Sequence, residues 1–162
     1  MPLRVRAPHP RTVVRSAALA GCGALVLTGC EAPAPSVTVF TGARSEHTEA
    51  VCWNHDNAEV DERTCVPEGG EVPTLRYSAS ETVGISVDPD VADGGWRPFV
   101  ATGTGSQEQP LTDGPVDSTY YRFALPELAT AQSTVTLRIV AVTGVGAGQK
   151  TRGVWLFTLR PA

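Results

Sequence analysis

Few residues in this 162-residue chain carry side chains and spacings that suggest chemistry. Cys52 and Cys65 flank an acidic stretch, and His47 and His55 lie nearby. Cys52-x-x-His55 has a local spacing that tetrahedral zinc accepts. Oxidised, the same two cysteines instead close a short loop, worth about 3 kcal/mol on the chain-entropy model. Asp88, Asp90 and Asp93 fall within one short run, Asp88-Pro-Asp-Val-Ala-Asp-Gly-Gly95. Three hard carboxylates so close could hold calcium. The EF-hand pattern, however, needs its glycine at position 6 and a glutamate at 12, and neither is in place. A turn in which aspartates bond nearby amides is the simpler expectation. Gly144-Val-Gly-Ala-Gly-Gln-Lys-Thr151 approaches a phosphate loop. Gln149 replaces a required glycine, though, and the following Val-Trp-Leu-Phe alternates like a strand rather than opening a helix. No Gly-x-Ser-x-Gly or other nucleophile motif is present. A hydrolase would need an unrecognised site, and no cofactor is called for.

The fourth chemical position is Cys30. Residues 1–15 contain Arg4, Arg6, Arg11 and Arg15 and no acid, and residues 16–29 are apolar or small. A basic region followed by a short apolar one is the export-signal pattern. As a helix those fourteen residues rise about 21 Å, short of the ~30 Å hydrocarbon core, so a signal is expected rather than a membrane span. Leu27-Thr-Gly-Cys30 resembles the bacterial lipobox, whose cysteine receives a diacylglyceryl group and becomes the first mature residue. Leu19-Ala-Gly-Cys22 fits the same pattern but leaves only six residues after Arg15, too few for the apolar region. The expected order is therefore a lipoprotein signal peptide at 1–29, a short Pro-rich tether at 30–36 and one domain at 37–162. Two acyl chains suffice for stable attachment where one is marginal. The expected location is the outer face of the bacterial cytoplasmic membrane, with the membrane engaged through lipid on Cys30. Export also favours a Cys52–Cys65 disulfide over a zinc site.

Charge narrows the partners. Four of the 13 basic residues and none of the 17 acidic ones precede Cys30, so the chain from Cys30 onward carries −8 against −4 for the whole. That balance argues against nucleic acid, which needs a basic face. An envelope protein or cell-wall component is the expected partner. The aromatics sit mostly in strands and are core by default, but Trp53 and Trp96 adjoin polar loops and are the alternative candidates for exposed anchors on a binding surface.

The elements that must position these residues are strands. Period-two alternation marks 36–39, 74–77, 82–87, 120–125, 134–142 and 154–160, with shorter candidates at 50–53 and 96–101. Pro98 suggests an edge position for 96–101. Only Pro126–Gln132 could form a helical turn or two. Short strands divided by Pro and Gly predict an antiparallel β-sandwich of seven to eight strands, immunoglobulin-like in architecture. The two longest strands should pair through the Gly-rich loop between them. Residues 54–72 and 102–117 are long connections, where binding function tends to lie.

Taken together, the lipobox, the early Val37-Thr-Val39, the cysteine pair, the run Ser86-Val-Asp-Pro-Asp-Val-Ala-Asp-Gly-Gly-Trp96 and the terminal Val154-Trp-Leu-Phe157 resemble a family of actinobacterial lipoproteins classed only as a domain of unknown function. Its most specific part is the Val-Asp-Pro-Asp-x-Ala-x-x-Gly-Trp run. The resemblance implies the anchor and one extracytoplasmic domain. It lends no catalytic residue, ligand or partner.

Overall fold

A computed structural model describes residues 32–78, 81–103, 107–125, 133–144 and 146–162. Cys30, the signal segment and the candidate helical turn at 126–132 lie outside the described residues. Residues Ala32–Ala162 form one compact unit.

Ten strands run in chain order: β1 Ser36–Thr41, β2 Arg44–Glu49, β3 Cys52–Trp53, β4 Thr74–Tyr77, β5 Thr82–Val87, β6 Trp96–Thr102, β7 Gln109–Pro110, β8 Tyr120–Ala124, β9 Val135–Thr143 and β10 Lys150–Pro161. A turn of α-helix, α1 (Pro89–Ala92), joins β5 to β6. Two sheets result. Sheet A has the order β2-β1-β5-β8; sheet B has the order β3-β10-β9-β6-β7, with β4 also beside β10. Every pairing is antiparallel except β4 with β10, which is parallel.

The sandwich follows from the alternation. Val37, Val39, Val83 and Ile85 of sheet A and Leu137, Ile139, Trp155 and Phe157 of sheet B are fully buried. Each sits in the inward phase of its strand, where the pleat turns alternate side chains to one face. β9 and β10 form the expected long hairpin. Its register shifts between Thr151 and Gly153, placing Arg152 in a bulge.

Two features depart from the sequence reading. Arg44–Glu49 forms a strand, although Arg-Ser-Glu-His-Thr-Glu has no apolar alternation; it is the outer edge of sheet A and needs none. β6 is not a bare edge, because β7 pairs with it at Phe99 and Val100. Ser36, which both the tether at 30–36 and the alternation at 36–39 include, belongs to β1: its amide donates to the Asp88 carboxylate at 2.6 Å.

Candidate functional site

The disulfide-closed segment lies against the outer face of sheet B. Its strand end, β3, pairs with Gly153 and Val154. Beyond it, Asn54 N donates to the Arg152 carbonyl at 3.0 Å and Val60 N donates to the Thr151 carbonyl at 2.9 Å. Within the loop, the Asn54 carboxamide oxygen accepts from the amides of Asp56 and Ala58, an Asx-type turn. Asn57 takes positive φ at 57°. The Cys52–Cys65 disulfide closes the loop. β9 is accordingly buried on both faces: Val140 and Val142, in the outward phase, are 3% and 4% exposed.

Arg152 ties this end together. The bulge turns its guanidinium toward the loop, 4.4 Å from the centre of the Trp53 ring. It donates to the Asn57 carboxamide oxygen at 2.6 Å and to the Asp90 carbonyl. Burial weakens its hold on its proton, an effect that the charges of Asp93 and Asp90 oppose. One buried cation thus joins the disulfide loop, α1 and β10.

Toward the middle of the same face, cross-strand rows are set by register. Arg138 stands between Phe99 and Leu156, and Val140 between Arg97 and Val154. Arg138 is held from two sides. Its Nε donates to both Glu108 carboxylate oxygens at 2.9 Å, and its Nη1 donates to Glu62. Burial pulls its pKa down, but Glu108 and Glu62 together leave it raised. Glu62 also accepts from the Thr151 hydroxyl. Beside this network lies a cavity of about 190 Å³ whose walls include Arg97, Phe99, Arg138, Val142, Lys150 and Glu62. The Arg97 guanidinium lies 5.4 Å from the Phe99 ring centre, and its Nε is buried with no hydrogen-bond acceptor among the described residues.

The sequence candidates are distributed differently from the metal sets drawn above. Cys52 and Cys65 are bonded to each other and supply no thiolates. His47 is on β2, 3.1 Å from the Thr38 hydroxyl on the outer face of sheet A, whereas His55 is in the disulfide loop beside Trp53. Asp88 accepts from the Ser36 amide and hydroxyl, while Asp90 and Asp93 balance Arg152. Among the described residues no three His, Cys, Asp or Glu side chains gather as metal ligands would. Trp96 is not an exposed anchor: it is fully buried, and its indole N–H donates to the Ser118 carbonyl at 2.8 Å. Trp53 is half-buried, its ring 5.8 Å from that of Trp155. The cluster of Arg97, Arg138 and Lys150 escaped the sequence reading. Period two does place Arg138 in the outward phase of its strand, but only register brings the three cations to one patch.

Compared with protein-family models, curated proteins and solved structures, the chain matches none of them. Among the described residues no helix is long and apolar enough to cross a membrane.

Proposed function

We propose that this protein is a lipid-anchored envelope module that binds a cell-wall or envelope component, without catalysis, on the outer face of sheet B. The observation that carries the reading is the charged cavity beside the disulfide-closed loop, on a sheet that its core makes rigid. Long loops held on such a scaffold are where binding residues concentrate. The anchor half rests on the lipobox at Cys30 and on the length of the tether. Pro35 is already fixed in the fold, its carbonyl accepting from Ala50 N and from the Trp155 indole. The few residues between Cys30 and Pro35 reach at most about 17 Å at full extension, so the domain works close to the bilayer.

Metabolic labelling with a fatty-acid probe in a lipoprotein-processing bacterium tests the anchor. Cys30→Ala should abolish the label and Cys22→Ala should leave it. Loss of label in Cys22→Ala alone would transfer the site to Cys22, and label persisting in Cys30→Ala would refute lipidation there.

A further inference from the structure

Arg97 and Lys150 differ from the other cation in their cavity. The charge of Arg138 is met by Glu62 and Glu108, and the Glu62 carboxylate is itself engaged by Arg138 and Thr151. Arg97 and Lys150 have no ion pair among the described residues. The buried Arg97 Nε–H has no acceptor among the described residues, a state that the Arg152 Nε–H shares outside this cavity. What sets Arg97 apart is that it lines the cavity without an ion pair, so its charge there is open to an anion from outside the fold. The −8 balance of the chain from Cys30 onward makes an unopposed cation pair on this face more notable, since general anion attraction does not account for it.

The cavity also limits what the acceptor can be. At about 190 Å³ it falls below the usual range for drug-sized ligands, so it fits the end of a molecule rather than a whole one. Val140, Val142 and Phe99 give it an apolar side. Glu62 in the same wall disfavours a dianion, whereas a single negative charge matches the two free cations. The planar guanidinium fork of an arginine fits a carboxylate with two parallel hydrogen bonds.

From this juxtaposition we propose that the cavity between β6, β9 and the start of β10 binds a free carboxylate carried on a small apolar group, with Arg97 as the fork and Lys150 as the second cation. A peptide C-terminus ending in a small residue and a free short-chain acid share that chemistry. The proposal rests on the reading of the domain as a binding module and deepens it; the anchor is tested separately by lipid labelling, so the two can fail independently.

The test is titration of the purified full chain, followed through the Arg97 Nε–H resonance and, in every variant, through the backbone amides of β6, β9 and β10. The probes are N-acetyl-Ala-Ala with a free C-terminus, the same dipeptide as its C-terminal amide, propionate and inorganic phosphate. Saturable shifts are expected with the free-acid dipeptide at a Kd of about 1 mM or tighter, weakening as salt is raised, and none with the amide. Lys150→Met, a substitution at an exposed position, should weaken binding about tenfold, and Arg97→Gln should abolish it. Arg122→Gln on the outer face of sheet A should change nothing. Propionate binding as tightly as the dipeptide points to a free acid, and weaker propionate binding points to a peptide terminus. Equal binding of acid and amide, tighter binding of phosphate, no saturable shift at Arg97, or binding unaltered in Lys150→Met would overturn the proposal.

Discussion

The outer faces of the two sheets are built to different plans. On sheet A the outward phase presents Thr38, Ser86, Arg122 and the half-buried Phe40, which stacks on the exposed Tyr120 at 6.0 Å. This is ordinary half-solvated antiparallel sheet. On sheet B the outward phase of β9 is buried at Val140 and Val142, and β6 and β9 present Arg97 and Arg138 beside the Phe99 ring. Arg138 is matched within the fold by Glu62 and Glu108, and Arg152 in the bulge by Asn57 and the Asp90 carbonyl, although the Nε–H of Arg152, like that of Arg97, has no acceptor among the described residues. Arg97 has no ion pair among the described residues and lies beside the Phe99 ring. A domain that needed only stability could have left the outer face of sheet B as polar and bare as that of sheet A. Covering it requires a disulfide, a buried guanidinium and a bulge, and the cover borders the cavity.

The largest test of this contrast removes the staple. Cys52→Ser with Cys65→Ser should destabilise the domain by about 3 kcal/mol in denaturant unfolding. Hydrogen exchange in the double mutant should rise first in residues 54–65 and in the Val140–Val142 segment, while β1 and β5 keep their relative protection. Uniform loss across both sheets would show that the loop is no separable cover. Next in size, Arg152→Met should cost about 2 kcal/mol, because the acceptors at Asn57 and Asp90 lose their donor. Proteolytic sensitivity in the disulfide loop should rise with it; an unaltered melting temperature would show that Arg152 ties nothing together.

Two glycines sharpen the comparison. A Cβ at Gly153 would lie 2.5 Å from the Trp53 ring, and one at Gly84 would lie 2.4 Å from the Phe40 ring. The clashes are alike but the neighbours are not. Trp53 is confined by Arg152 and Trp155, whereas Phe40 borders solvent and can swing away. Gly153→Ala should therefore cost about 1–3 kcal/mol and Gly84→Ala less. The reverse order in matched denaturant titrations would mean that the cover over sheet B is the softer of the two.

The smallest effect belongs to sheet A. Glu81 accepts from the Ser78 amide at 2.8 Å and from the buried Thr41 hydroxyl at 3.0 Å, and Arg44 is 3.7 Å away. Its pKa is lowered, chiefly by the Ser78 backbone hydrogen bond and then by the Thr41 hydroxyl. A carboxylate held below its unfolded value contributes stability that is fully present above that unfolded value and is lost as pH falls through the folded one. Glu81→Gln should flatten the acid side of the stability profile slightly, by lowering stability a little at neutral pH and leaving it nearly unchanged at the acid end. An acid limb as steep as that of the parent chain would assign the effect to other groups.

How far the sequence shows this architecture differs element by element. Val83-x-Ile85-x-Val87 and Val135-x-Leu137-x-Ile139 declare strands and their buried face, because a half-buried strand must alternate. The Cys52–Cys65 pair is readable from the expectation of export and an even count. β2 is not, since an edge strand of Arg-Ser-Glu-His-Thr-Glu takes its order from β1 rather than from its own apolar residues. Trp96 follows the core default for strand aromatics and not the alternative of a surface anchor; its partner, the Ser118 carbonyl, lies 22 positions away and no local spacing shows it. The Arg97–Arg138–Lys150 patch was hidden for the same reason: three strands distant in sequence meet through register, and no local spacing records it.

The central claim is that the outer face of sheet B is the working surface. Backbone amide mapping of the isotope-labelled protein, titrated with solubilised cell-wall peptide fragments, tests it most directly. The account predicts saturable shifts confined to β6, β9, the start of β10 and the adjoining disulfide loop, with β1, β2 and β8 unmoved. Shifts centred on His47, Phe40 and Arg122 of sheet A, or no saturable shift on either face, would contradict it.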